Sequence, residues 1–99
     1  MSRDHEARIY WSDLQIERGL PACDRTIDPA WFTAPGRGSD EGWSLVCEFA
    51  VPPALQGSPS VARVKFLVDQ APDERLVPGT RLELFERGTL QRAQVEILD

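Results

Sequence analysis

Few residues of this 99-residue chain could do chemistry. It has one histidine, His5, and two cysteines, Cys23 and Cys47. A Ser/His/Asp or Cys/His site needs an imidazole held rigidly beside its nucleophile. His5 falls within Met1–Glu6, a polar, charged stretch that reads as a flexible tail. Adjacent carboxylates occur as Asp40-Glu41 and Asp73-Glu74. Each lies beside turn residues, where solvation denies it the raised pKa that a general acid needs. Asp24 and Asp28 bracket a short stretch that lacks the oxygen-rich spacing of a calcium loop. Two cysteines 24 positions apart, with a single histidine, do not make the short-spaced four-ligand set of structural zinc. Gly36-Arg37-Gly38-Ser39 has the glycines of a phosphate-cradling loop but no lysine and no following helix, and Asp40-Glu41 would repel phosphate. The expectation is a protein that is not an enzyme and uses no metal and no cofactor.

What remains is binding. Tyr10-Trp11 and Trp31-Phe32 are adjacent aromatic pairs, and neighbours in an extended strand point to opposite faces. One ring of each pair is therefore expected outside the main core. Such rings either cap a barrel end or anchor a partner, since Trp, Tyr and Arg dominate interface hot spots. The candidate partner-binding residues are Trp31, Phe32, Arg37, Asp40 and Glu41.

Composition narrows the partner. Net charge is −5, from 16 acidic and 11 basic residues. Nucleic acid is bound by releasing counterions with clustered Lys and Arg, and this chain has no such surplus. Its net charge favours a protein partner with a basic surface. All basic residues but Lys65 are arginine, which fits a genome of biased base composition. The N-terminus shows no apolar secretory region and no apolar run approaches the roughly 20 residues of a membrane span, so no membrane role is expected. The expected compartment is the cytoplasm, with both thiols reduced. The spacing leaves a Cys23–Cys47 disulfide geometrically open, and oligomeric state is not readable.

The elements that position these residues read mainly as strands in a single domain over 1–99. Residues 8–16 carry β-formers and predict a first strand. Gly19–Gly42 is dense in Pro and Gly and predicts a long irregular loop, with a helical turn at Asp28-Pro29 in which Asp28 is the N-cap. Trp43–Val51 alternates, with Trp43, Leu45, Cys47, Phe49 and Val51 on one face. Pro52-Pro53 ends it. Ser60–Val68 alternates likewise, with Ala62, Val64, Phe66 and Val68 inward. Pro78-Gly79 fits a type II turn. Residues 80–86 and 90–98 read as a hairpin, with Ala93, Val95 and Ile97 on one face and Arg92, Gln94 and Glu96 on the other. Six short strands with turn signals between them predict an all-β fold, a small antiparallel β-barrel with a long irregular loop over 19–42.

Residues 61–98 carry a resemblance. The run Val61-Ala-Arg-Val-Lys-Phe-Leu, a linker, Pro78-Gly-Thr-Arg-Leu-Glu-Leu-Phe-Glu-Arg-Gly and Ala93-Gln-Val-Glu-Ile-Leu resembles the closing strands of the third, β-barrel domain of translation elongation factor Tu. The resemblance implies a barrel. The chain lacks GxxxxGK[ST], so it is not a GTPase of that family, and the family's glycine pair in the last turn is reduced to Gly88. No contacts to transfer RNA carry over. Three functions follow as expectations. The first is a non-catalytic protein-binding module, for example of antitoxin or immunity type. The second is a translation-associated accessory, and the third a small-ligand carrier or minor enzyme.

Overall fold

A computed structural model of the chain describes residues 4–33, 42–86 and 90–99. Six strands, β1 (His5–Trp11), β2 (Arg25–Phe32), β3 (Trp43–Glu48), β4 (Ser60–Phe66), β5 (Arg81–Glu86) and β6 (Leu90–Ile97), form a closed antiparallel barrel in the order β1-β4-β3-β2-β5-β6. Two short helices, α1 (Asp13–Arg18) and α2 (Pro53–Gln56), and a 3₁₀ turn at Asp73–Arg75 complete the described elements. Every strand is paired on both sides, so β1 offers no edge for pairing with another chain. No helix among the described residues is long and apolar enough to cross a membrane.

Period-two alternation fills the interior. Ala7, Ile9 and Trp11 of β1, Ala30 and Phe32 of β2, Leu45 and Cys47 of β3, Ala62, Val64 and Phe66 of β4, Leu82 and Leu84 of β5, and Ala93, Val95 and Ile97 of β6 are all buried in one cluster. At the end where β2 and β4 finish, here called the upper end, Phe66 meets Phe32 edge-on at 6.0 Å and Trp43 at 6.3 Å. Leu76 and Ala71 close over this cluster. At the lower end Phe49 lies 6.3 Å from Trp11, whose indole N–H donates to the Ser60 hydroxyl.

Several local expectations are corrected. His5 and Glu6, read as tail, belong to β1, and His5 is 2% exposed. Its Nε2 lies 3.2 Å from Asp73 Oδ1, which ties β1 to the 3₁₀ turn. The first strand ends at Trp11, and the second half of 8–16 is α1 instead. Ser12 caps it by accepting from the Gln15 N–H, and Gly19 ends it at a φ of 106°. Ser12 and Gln15 have the Ser-x-x-Gln spacing of a capping box, a local signal that the β-formers of 8–16 mask. The turn at Val77–Thr80 forms as expected, with Gly79 at φ 91° and the Thr80 N–H on the Val77 carbonyl.

The largest correction is β2, which occupies the segment read as irregular. Pro29 sits inside it, and Asp28 is a strand residue rather than a helix N-cap. A proline is tolerated in a strand where no ladder bond is required of it. Asp24 accepts from the Phe49 N–H, so even-numbered residues here bond towards β3 and Pro29 faces β5. The β2–β5 register runs only from Ala30 to Phe32, so Pro29 lies just past its end.

β3 and β4 part company early. β3 ends at Glu48, leaving Val51 exposed, and α2 occupies residues that read as a loop. The side chain of Gln56 takes the place of the missing strand beside β4. Its Oε1 accepts from the Val61 N–H at 2.8 Å, and its Nε2 donates to the carbonyls of Val61 and Val51. β4 likewise stops at Phe66, and Val68 is exposed.

Candidate functional site

The aromatic pairs split as strand geometry requires. Trp11 is turned inward and Tyr10 outward on β1, while Phe32 is turned inward and Trp31 outward on β2. Cross-strand register sets Tyr10 opposite Gln94, Gln94 opposite Glu83, and Glu83 opposite Trp31. One row of the outer wall thus runs from tyrosine to tryptophan across β1, β6, β5 and β2. The Trp31 indole stands edge-on to Phe85, with ring centroids 5.2 Å apart. A Cβ on Gly42 would come within 2.4 Å of the same indole, so glycine there lets the chain pass beneath it.

The next row towards the upper end carries charge. Arg8 lies opposite Glu96 and Glu96 opposite Arg81, and both guanidinium groups stand 3.9 Å from the Glu96 carboxylate. The Tyr10 hydroxyl donates to the same carboxylate and accepts from Arg8. This row continues into Thr33, whose N–H donates to the Arg81 carbonyl.

Beyond it lies a pocket of about 400 Å³ at the upper end, lined by Phe32, Thr33, Arg75, Gly79, Thr80 and Arg81. Phe32, a sequence candidate for partner binding, is 5% exposed and forms the floor of the pocket. Arg75 covers it, with the guanidinium carbon 3.9 Å from the ring centroid. Arg37, Asp40 and Glu41, the other sequence candidates, lie outside the described residues. Arg75 and Arg81 were missed. Nothing local distinguishes Arg75 from any other charged turn residue, because its partner ring lies 43 positions earlier in the chain.

A second groove, of about 670 Å³, opens beside Phe49 and Ala50. Its charged walls follow the register Glu6–Arg63–Glu48–Arg25, in which opposite signs alternate across four strands, and Asp24 adds a third acid against two arginines.

The lower end holds the polar interior. A bulge between Leu84 and Phe85 sets Leu84 opposite Ala93 but Phe85 opposite Gln91, which leaves Arg92 as the extra residue. Arg92 was expected outside with Gln94 and Glu96. The bulge turns it instead towards Asp28, at 2.8 Å, with Gln15 on its Nε and its guanidinium carbon 5.6 Å from the centre of the Trp11 ring. Asp28 faces into the barrel, and its other oxygen, Oδ2, is buried without a protein partner. The Asp28 carboxylate is thus paired with an arginine. Among the described residues no group of three or more His, Cys, Asp or Glu side chains could hold a metal ion.

Cys47 lies inside this wall and Cys23 outside it, and both are free thiols. Burial pushes the Cys47 thiol up to about 12, against a weaker opposite pull from the Thr26 hydroxyl. A thiol held neutral at pH 7 is neither a nucleophile nor a metal ligand. The sign of the pH effect follows. Between the ordinary thiol value near 8.5 and about 12 the unfolded chain loses a proton that the folded chain keeps, so stability falls as pH rises through that window. Urea titrations from pH 8 to 10.5 are expected to show that decline, and Cys47→Ala to remove most of it. In native protein at pH 8 a thiol reagent is expected to label Cys23 alone; rapid labelling of both thiols would contradict the burial of Cys47.

No protein-family model matches the chain, and no curated protein and no solved structure matches it. The class of molecule therefore rests on the fold and its surfaces, a closed six-strand barrel with an aromatic and arginine wall running into an upper pocket.

Proposed function

We propose that this chain is a non-catalytic binding module that engages a protein partner through the outer wall of β1, β6, β5 and β2 and the adjoining upper end. The observation that carries the reading is the register that lines up Tyr10 and Trp31 in one row, with Arg8 and Arg81 in the next. Tyr, Trp and Arg are the side chains that carry most binding energy at interfaces. Here they are held in place, Trp31 by Phe85 and Arg8 by Tyr10, so little entropy is lost when a partner docks. The interior supports the same reading. Inward side chains of all six strands meet there in one apolar cluster, so the surfaces open to a partner are the outer wall and the barrel ends.

The test is affinity capture from the host's own lysate with the wild-type chain and Trp31→Ala, the variant first shown to be folded. One protein recovered in near-equal amount by the wild type, and lost with Trp31→Ala, is the expected result. A partner held equally by both proteins would overturn the assignment of this wall. Capture of elongation factor or ribosomes would identify the translation-associated accessory.

A further inference from the structure

Arg75 is an exposed cation at the upper end. Its guanidinium carbon lies over the Phe32 ring, 3.9 Å from the centroid. The turn that carries it is fixed twice, by Asp73 on His5 and by the Thr80 hydroxyl donating to the Arg75 carbonyl. Among the described residues no carboxylate lies within 4.0 Å of the Arg75 guanidinium. A stacked guanidinium keeps its N–H donors at the rim of its plane, where they can grip both oxygens of a carboxylate. Arg81, whose side chain is 52% exposed, stands on the same pocket, and its one acidic neighbour, Glu96, is 3.9 Å away and shared with Arg8. The Thr33 side chain completes the rim.

The pocket is thus a place of local positive charge on a chain of net charge −5. Its backbone donors are spent: the N–H groups of Gly79, Thr80 and Thr33 bond to Ile97, Val77 and Arg81. Recognition must therefore come from side chains, and those present suit an anion with a flat, two-oxygen face. We propose that this pocket binds a carboxylate of an acidic peptide segment, with Arg75 as the bidentate anchor and Arg81 as the second cation. The proposal rests on the binding-module reading and names the chemistry of the partner's docking segment. Net charge alone favours a basic partner surface, but at contact distance the local charge decides, because screening removes more remote terms within about 10 Å.

The experiment is a titration of ¹⁵N-labelled full-length protein with N-acetylated, C-amidated hexaglutamate, followed by NMR, with hexaglutamine and inorganic phosphate as controls. Expected are shifts confined to the Thr33, Gly79, Thr80 and Arg81 amides and the Arg75 Nε–H, with none from hexaglutamine at the same concentration. Arg75→Gln is expected to weaken binding at least about tenfold, and Arg75→Lys to fall between the two, since lysine keeps the charge but loses the fork. Absence of shifts, shifts centred elsewhere, or unchanged affinity in Arg75→Gln would overturn the site. Phosphate matching hexaglutamate in both shifts and affinity would overturn the assignment to an acidic peptide. Capture from lysate separates the two proposals. A partner lost with Trp31→Ala but kept with Arg75→Gln sinks the carboxylate site alone, and a partner kept with Trp31→Ala sinks the wall.

Discussion

Arg92→Met is expected to cost about 3 kcal/mol, the low end of the penalty for leaving one partner of a buried ion pair without the other, since the Arg92 side chain is 20% exposed. The Asp28 side chain is 8% exposed and its nearest cation is Arg92, at 2.8 Å. Its Oδ2 already lacks a protein partner, so removal of the guanidinium leaves the whole carboxylate uncompensated inside the barrel. The guanidinium also holds Gln15 of α1 and lies by Trp11, so the lower cap loosens with it. A domain of this size has only about 5–15 kcal/mol of stability in all, and the variant is expected to be marginal at 37 °C. The measurement is the urea midpoint of Arg92→Met against the double variant Asp28→Val/Arg92→Met. An apolar replacement of both partners is often neutral, so the double variant should recover at least about 2 kcal/mol of the loss. If the double variant is no more stable than Arg92→Met, the loss comes from packing and not from a stranded charge.

Phe66→Ala is expected to cost a similar about 3–5 kcal/mol, for a different reason. Phe66 is 2% exposed and sits where β4 ends, between Phe32 and Trp43. Truncation removes buried apolar area and leaves a cavity that rings on neighbouring strands cannot close without shifting the sheet. The effect reaches the pocket, because Phe32 is the ring on which Arg75 rests. Urea unfolding should show a lower midpoint with an unchanged slope. The Arg75 Nε–H signal should broaden as its platform gains freedom. A cost under about 1.5 kcal/mol would mean that the upper end is loosely packed and that Phe32 does not depend on Phe66 for its position.

The strands that were legible in the sequence are those whose alternation is local. In β4 the residues Ala62, Val64 and Phe66 read inward and are inward, and Ala93, Val95 and Ile97 of β6 fall where period two places them, while Arg92 at the bulge does not. That one ring of each aromatic pair turns outward was equally legible, because opposite facing of neighbours in a strand needs no knowledge of the rest of the fold, but which ring it is was set by the register. The element most misread was β2. Its breakers, Pro29 among them, argue against a strand until it is known that β5 pairs only from Ala30 onward. No pattern within the segment carries that information.

The same division holds for the site. Trp31 could be picked out by type and spacing, whereas Arg75 could not, and neither could the burial of Phe32 beneath Arg75. Alternation and turns depend on residues a few positions apart, and these the amino-acid sequence determined by itself: a chain built mainly of strands, most of its inward faces, the turn at Val77–Thr80, and one outward ring in each aromatic pair. Closure of the barrel decided the rest. It brought Arg75 onto Phe32, set Asp28 before Arg92 across 64 positions and aligned Tyr10 with Trp31. Each of those meetings follows from register and from one bulge, which are set by the packing of all six strands together and not by any one of them.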